Sequence, residues 1–173
     1  MPISYGVRRA ANPEDLLPWD FVESRLVSAR NYWVVTTGAL LRPHAVPVWG
    51  LWQEGSFFFS TDPDSRKARD LVTNSRVVVH LESGDECVIL EGRAAPIIDQ
   101  GDRQRLSAAY EAKYGIRIGD GLLLGVRPSR VLAWRESDFP DSATRWLMQP
   151  RPRKACQIWD RSEVDDAAAE SDA

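Results

Sequence analysis

The densest chemistry in the sequence lies at residues 60–71, Ser-Thr-Asp-Pro-Asp-Ser-Arg-Lys-Ala-Arg-Asp-Leu. Ala68, Leu71 and Val72 carry helical spacing and predict a short helix within residues 62–74. Asp62 or Asp64 would cap it. Arg66 and Lys67 then fall in or near its first turn, with Arg69 close behind. A helix N-terminus already carries about +0.5 charge, so each added cation costs a few tenths to about 1 kcal/mol unless an anion offsets it. A phosphate would do so. Free backbone N–H groups, the hydroxyls of Ser65 and Thr61, and the Arg66 fork together form a phosphate cradle. Local neutralisation by Asp62, Asp64 and Asp70 on a solvated face is the plainer alternative.

The second informative stretch is His-Ala-Val-Pro-Val-Trp-Gly-Leu-Trp at 44–52. Strand alternation sets His44, Val46, Val48 and Trp52 on one face and Ala45, Pro47, Trp49 and Leu51 on the other. Both faces are apolar, which predicts burial on both sides. Pro47 removes a ladder donor, so it demands a sheet edge, a bulge, or a place where a flat ligand replaces the neighbouring strand. A core strand with a bulge satisfies the same residues. His44 and His80 read by default as packed histidines. There is no G-x-S-x-G elbow, no H-E-x-x-H and no evident Cys–His pair. Cys87 and Cys156 form no metal or redox motif. A phosphate cradle without an acid–base set points to chemistry borrowed from a cofactor.

The elements that must position these residues are mostly strands. Helices are expected at 18–30, 62–74 and 102–115. Strands are expected at 31–37, 44–53, 56–61, 76–83 and 86–97, at 122–134 as one long or two short pieces broken near Pro128, and at 144–148. Connections between strands are short, so pairing should be antiparallel. The class is mainly β (α+β), a closed or partly closed barrel with helices at its ends rather than a dinucleotide-binding sheet, whose G-x-G-x-x-G fingerprint is absent.

At 173 residues, 43% hydrophobic and 27% charged, the chain has ordinary globular composition and the length of one domain. Its boundaries read as a loose arm at 1–14, a domain at 15–150, and a basic linker with an acidic tail at 151–173. The net charge of −3 is uneven: residues 160–173 carry six carboxylates against Arg161, a net of −5, which leaves +2 on the rest. The Ala-rich tail reads as disordered. A body at +2 lacks the broad basic surface of a nucleic-acid binder. No apolar run reaches the ~20 residues of a membrane helix, and the N-terminus lacks an apolar export signal, so a reduced, cytoplasmic setting is expected. Seven tryptophans outnumber the five phenylalanines.

Taken in order, R-P-H-A-V-P-V-W-G-L-W (42–52), F-F-F-S-T-D-P-D-S-R-K-A-R-D-L (57–71) and N-S-R-V-V-V-H-L-E-S-G-D-E-C-V-I-L-E-G (74–92) resemble the pyridoxamine 5'-phosphate oxidase-like FMN-binding split barrels. The resemblance covers about residues 20–148 and is closer to their flavin/deazaflavin oxidoreductase branch. The late A-T-R-W at Ala143 to Trp146 is similar to members that use coenzyme F420. What the resemblance implies is a six-stranded antiparallel split β-barrel with flanking helices, working as a homodimer with cofactor sites at the subunit interface. Thr61, Ser65, Arg66 and Lys67 match positions that hold the cofactor phosphate, with Ser60 beside them. His44, Ala45, Val46, Pro47, Val48 and Trp49 match the strand along the ring. Cys87 matches a flavin-contacting position, and Trp134, Arg145 and Trp146 match segments that approach the cofactor from the partner. The implied activity is hydride transfer between a bound cofactor, F420 in preference to FMN, and a small organic substrate. The alternative is a non-catalytic flavin- or haem-type binding protein of the same fold. No Arg-x-His substrate motif follows Ser142, which argues against vitamin B6 oxidation. Arg151, Arg153 and Lys154 would either meet a polyanionic cofactor tail or form a solvated linker. On this reading Trp49, Trp52, Trp134 and Trp146 converge on one interface cleft, while Trp33 packs inside.

Overall fold

A computed structural model describes residues 16–148. The helices are α1 (Trp19–Ser28), α2 (Arg66–Thr73) and α3 (Gln100–Tyr114). The strands are β1 (Asn31–Thr37), β2 (Pro43–Trp49), β3 (Leu51–Gln53), β4 (Ser56–Thr61), β5 (Arg76–His80), β6 (Glu86–Pro96), β7 (Leu122–Arg135) and β8 (Thr144–Leu147). Every pairing is antiparallel, in the order β2-β1-β5-β6-β7-β4-β3, with β8 added on β7. The sheet curls into a split half-barrel around its main apolar core, with a second, smaller cluster at Leu51, Phe58, Ile97, Leu106 and Leu123. The arm expected at 1–14 and the linker and tail expected at 151–173, with Arg151, Arg153 and Lys154, lie outside the described residues.

Eight strands form where seven segments are expected, and the cause is local. The single strand expected over 44–53 is divided at Gly50, where a Cβ would lie 2.4 Å from the Phe57 ring and 2.7 Å from the Phe58 carbonyl oxygen. Only glycine lets the backbone turn this close. β2 therefore pairs with β1 while β3 pairs with β4, so the two halves sit at opposite ends of the sheet. β7, by contrast, runs unbroken through Pro128. A bulge absorbs the proline: Glu91 faces Arg130 but Gly92 faces Pro128, leaving Ser129 as the extra residue.

Alternation sorts the sheet into two faces. Val34, Val79, Leu90, Val131 and Ala133 point inward and are fully buried, and Phe21, Val22 and Leu26 of α1 pack into the same core. The inner face also takes Trp52, 5% exposed, and Trp19, whose ring centroids are 6.4 Å apart. Trp146 meets Trp19 edge-on at 5.6 Å. Trp52 is thus core material, and Trp146, partly buried, packs against the same core. Trp33 reverses the expectation the other way: it lies half-buried on the outer face, stacked on His80 at 6.2 Å. Ala45 and Pro47 are exposed in the single chain, so β2 is covered on one face only.

Candidate functional site

The N-terminus of α2 departs from its expected capping. Ser65, in extended backbone, is the cap, and its hydroxyl accepts the Ala68 N–H at 3.3 Å. Asp62 and Asp64 are used one step earlier, in the turn around Pro63. The Asp62 carboxylate accepts the Asp64 N–H at 2.7 Å, and the Asp62 carbonyl accepts the Ser65 N–H at 3.0 Å. Thr61, at the end of β4, brings its hydroxyl within 3.0 Å of that of Ser65. The two hydroxyls therefore meet where β4 hands over to the helix.

No carboxylate stands in the first turn of α2, where Arg66 and Lys67 lie. Local neutralisation is only partial. Asp70, one turn on, is 3.9 Å from the Arg66 guanidinium but takes a 2.9 Å bond from the Thr36 hydroxyl. Gly38 lets this carboxylate pass: a Cβ there would sit 2.3 Å from Asp70 Oδ1. Asn74 donates to the Thr37 carbonyl at 3.0 Å. Asp70 and Asn74 thus dock the helix on β1, and Arg66, with 47% of its side chain exposed, faces solvent.

Arg66 also donates to the Arg42 carbonyl at 3.3 Å, which ties the helix to the start of β2. β2 has a single neighbour, β1, and so ends the sheet. Pro47 sits on this edge strand opposite Trp33, where its missing donor is tolerated. The α2 N-terminus, with Thr61 to Lys67, is therefore tied to the start of β2, and His44 to Val48 run on from there along the open edge of the sheet. Ser60 lies in β4 opposite Leu123.

The remaining predicted residues are not brought here within one chain. Cys87 and Trp134 face each other across β6 and β7 on the outer face, and Arg145 stands there opposite Leu132. Burial pushes the Cys87 thiol up from its ordinary pKa. Trp134 meets Phe139 edge-on at 6.1 Å. β1 and β5 separate these strands from β2. Trp49 is held at the far end of β2, stacked on Tyr114 at 4.9 Å with Arg30 above it at 5.0 Å.

That far end holds polar residues that motif reasoning missed. Lys113 of α3 donates to the Tyr32 hydroxyl at 2.9 Å and the Gly50 carbonyl at 3.2 Å. Tyr32 donates to the Leu26 carbonyl at 2.5 Å. The Tyr114 hydroxyl accepts the Gly50 N–H at 3.0 Å and lies 2.8 Å from the Arg30 carbonyl. Burial lowers the Lys113 pKa to about 8 and raises that of Tyr32. The one available signal was a lysine on the apolar side of a helix. Among the described residues no group of three or more His, Cys, Asp or Glu is placed to hold a metal ion, and no helix is long and apolar enough to cross a membrane.

A family model described as pyridoxamine 5'-phosphate oxidase matches residues 20–135. Among curated proteins none matches the sequence. Solved structures do. General stress protein 26 of Bacillus anthracis aligns with a TM-score of 0.60 at 15% identity, over 75% of this chain and 97% of that one. A haem-binding protein of Mycobacterium smegmatis gives 0.60 at 18%, over 76% and 59%. A structure titled F420 reductase gives 0.51 at 16%, over 63% and 94%. Identities this low show the common fold, the split barrel.

Proposed function

Since a match over two-thirds of its length makes the chain a member of the pyridoxamine 5'-phosphate oxidase family, we propose that it is an oxidoreductase that holds a flavin-type cofactor, coenzyme F420 in preference to FMN, against the open edge of β2. The observation that carries the reading is the α2 N-terminus: two cations in a first turn without a carboxylate, beside paired hydroxyls. Arg66, Lys67, Thr61 and Ser65 would hold a phosphate there by charge-assisted and hydroxyl hydrogen bonds. The residues His44 to Trp49 would orient the ring face, and exposed Pro47 leaves that edge free of a competing strand. A (deaza)flavin supplies hydride transfer to or from a small organic substrate. The chain's own share is to bind, to orient and to exclude water.

The reading includes a second copy of the chain. Trp33, Ile89, Leu132 and Trp134 lie half-buried on the outer face, an apolar surface suited to burial against its own copy. Cys87, Trp134 and Arg145 would then reach the site from the partner. Cytoplasmic location is part of the same proposal.

The test is titration of the apo-protein with FMN and with F420. Micromolar binding of one is expected, weakened at least about a hundredfold in Arg66→Ala/Lys67→Ala, since charge-assisted bonds contribute about 1.5–3 kcal/mol each. Binding of neither would overturn the reading. A second reading, non-catalytic haem-type binding, draws on the likeness to a haem-binding protein. A Soret band on haemin titration, with no turnover of reduced F420 or FMN across a substrate panel, would favour it.

A further inference from the structure

Along its strands the outer face of the sheet changes character, as its register rows make plain. Trp33, His80, Ile89 and Leu132 form one row, and Val35, Val78, Glu91 and Arg130 the next. In the row beyond, Arg76 of β5 stands directly opposite Arg93 of β6, and Arg93 directly opposite Arg127 of β7. Directly opposed Cβ atoms are about 4.5–5.5 Å apart, and like charges so placed destabilise a sheet. Interleaved carboxylates would relieve this, but Glu91, the acid nearest in register, is paired with Arg130 at 3.1 Å. Among the described residues none of the three arginines makes an ion pair; Arg93 donates to the Ser75 hydroxyl at 3.0 Å.

The row exists because of the bulge at Ser129. Without the bulge, in the unshifted register set by Glu91 and Arg130, Arg127 would stand opposite Ala94, on the inner face. With it, Val126 takes the buried place and Arg127 turns outward into line with Arg93. The last described residues also meet β7 at the bulge. Leu147 of β8 faces Arg130, and the Met148 N–H donates to the Ser129 carbonyl at 3.0 Å. Met148, the last described residue, thus lies beside the bulge that sets the arginine row.

We propose that this row is the docking site for the acidic end of the same chain, residues 160–173. That segment holds six carboxylates against one arginine, a net of −5 facing a body of +2. Eleven residues lie between Met148 and Asp160, twelve steps that reach at most about 43 Å at 3.3–3.6 Å per residue. Tethering therefore supplies a millimolar-scale effective concentration without further contacts. Guanidinium forks pair with carboxylates bidentately, which suits arginine over lysine at all three positions. The shared chemistry is that of an extended polycarboxylate, and the chain's own tail is its source. The inference stands apart from the cofactor reading, since none of its residues belongs to the α2 cradle.

The experiment uses the full chain, a chain ending at Trp159 that keeps every described element, and a labelled peptide of residues 160–173. The peptide should bind the shortened chain, lose at least tenfold in affinity between 50 and 500 mM salt, and bind the full chain at least tenfold more weakly because the site is filled. Arg76→Gln/Arg93→Gln/Arg127→Gln in the shortened chain should lose at least tenfold. Removing like charges should not unfold it, and Arg93→Gln alone, with a smaller loss, serves if it does. Equal binding by full and shortened chains, or an unaffected triple variant, would overturn the proposal. So would citrate binding the row while the peptide does not, which would assign the row to a free anion. Salt-sensitive self-association lost on shortening would assign the tail to another copy and overturn docking within one chain.

Discussion

Lys113, in the last turn of α3, meets its partners inside the chain: the Tyr32 hydroxyl at 2.9 Å and the Gly50 carbonyl at 3.2 Å. Arg66, in the first turn of α2, has a distant carboxylate at 3.9 Å, one carbonyl, and solvent. A cation at a helix C-terminus agrees with the helix dipole, whereas one at an N-terminus opposes it. The Lys113 corner is a finished structural joint, closed over Gly50. The α2 corner has two cations and no carboxylate in its first turn, which opposes the dipole. Residue type does not separate a structural cation from a binding one; the inventory of partners does.

Four changes would break or sharpen that contrast. The largest effect is expected from Gly50→Ala, whose Cβ meets the Phe57 ring at 2.4 Å. Overpacking of this kind should cost about 3 kcal/mol in urea unfolding; a loss below about 0.5 kcal/mol would show the corner to be pliable. Tyr32→Phe removes the hydroxyl that joins Lys113 to the Leu26 carbonyl. Leaving those groups short of a partner should cost about 1–3 kcal/mol, read by the same assay.

The third is a pH dependence. Lys113 has a folded pKa of about 8 against an ordinary 10.5, so between these values the unfolded chain binds more protons. Stability from this group therefore rises with pH above about 8, whereas below 8 the cost of the buried charge is fully present. Tyr32, whose pKa is raised, begins to oppose the rise only above its ordinary value of 10. Unfolding of wild type against Lys113→Met between pH 8 and 10 should show the wild type gaining relative to the variant. Parallel curves would mean that the lysine is solvated. The smallest effect is Arg66→Ala/Lys67→Ala without cofactor. Removing cations from a helix N-terminus should leave thermal stability unchanged or raise it by up to about 1 kcal/mol. A clear loss would make these residues structural and dissolve the contrast.

The backbone plan was largely readable from residue pattern. Residues 31–37 and 56–61 form strands at the expected bounds, because β-branched and aromatic residues there lie between unambiguous turns. The division at Gly50 escaped notice because both halves keep the same alternation, and only the approach of Phe57 reveals it. Capping was misassigned because Pro63 draws Asp62 and Asp64 into a turn, leaving Ser65 to begin the helix. The cationic first turn was visible, since charge against a dipole is a local quantity. The Lys113 network and the arginine row were not. Each depends on register between strands or helices far apart in sequence, and the row depends further on one inserted residue. Tryptophan number was noticed, but position sorted the residues: Trp19, Trp52 and Trp146 inward, Trp33 and Trp134 outward.

Pro43 and Pro47 both lie in β2, the strand that ends the sheet. An unpaired strand edge invites another chain to add itself hydrogen bond by hydrogen bond, and two prolines four residues apart remove two of the donors it would use. The edge that the cofactor reading assigns to a planar ring is therefore also one that resists edge-to-edge pairing between copies of the protein.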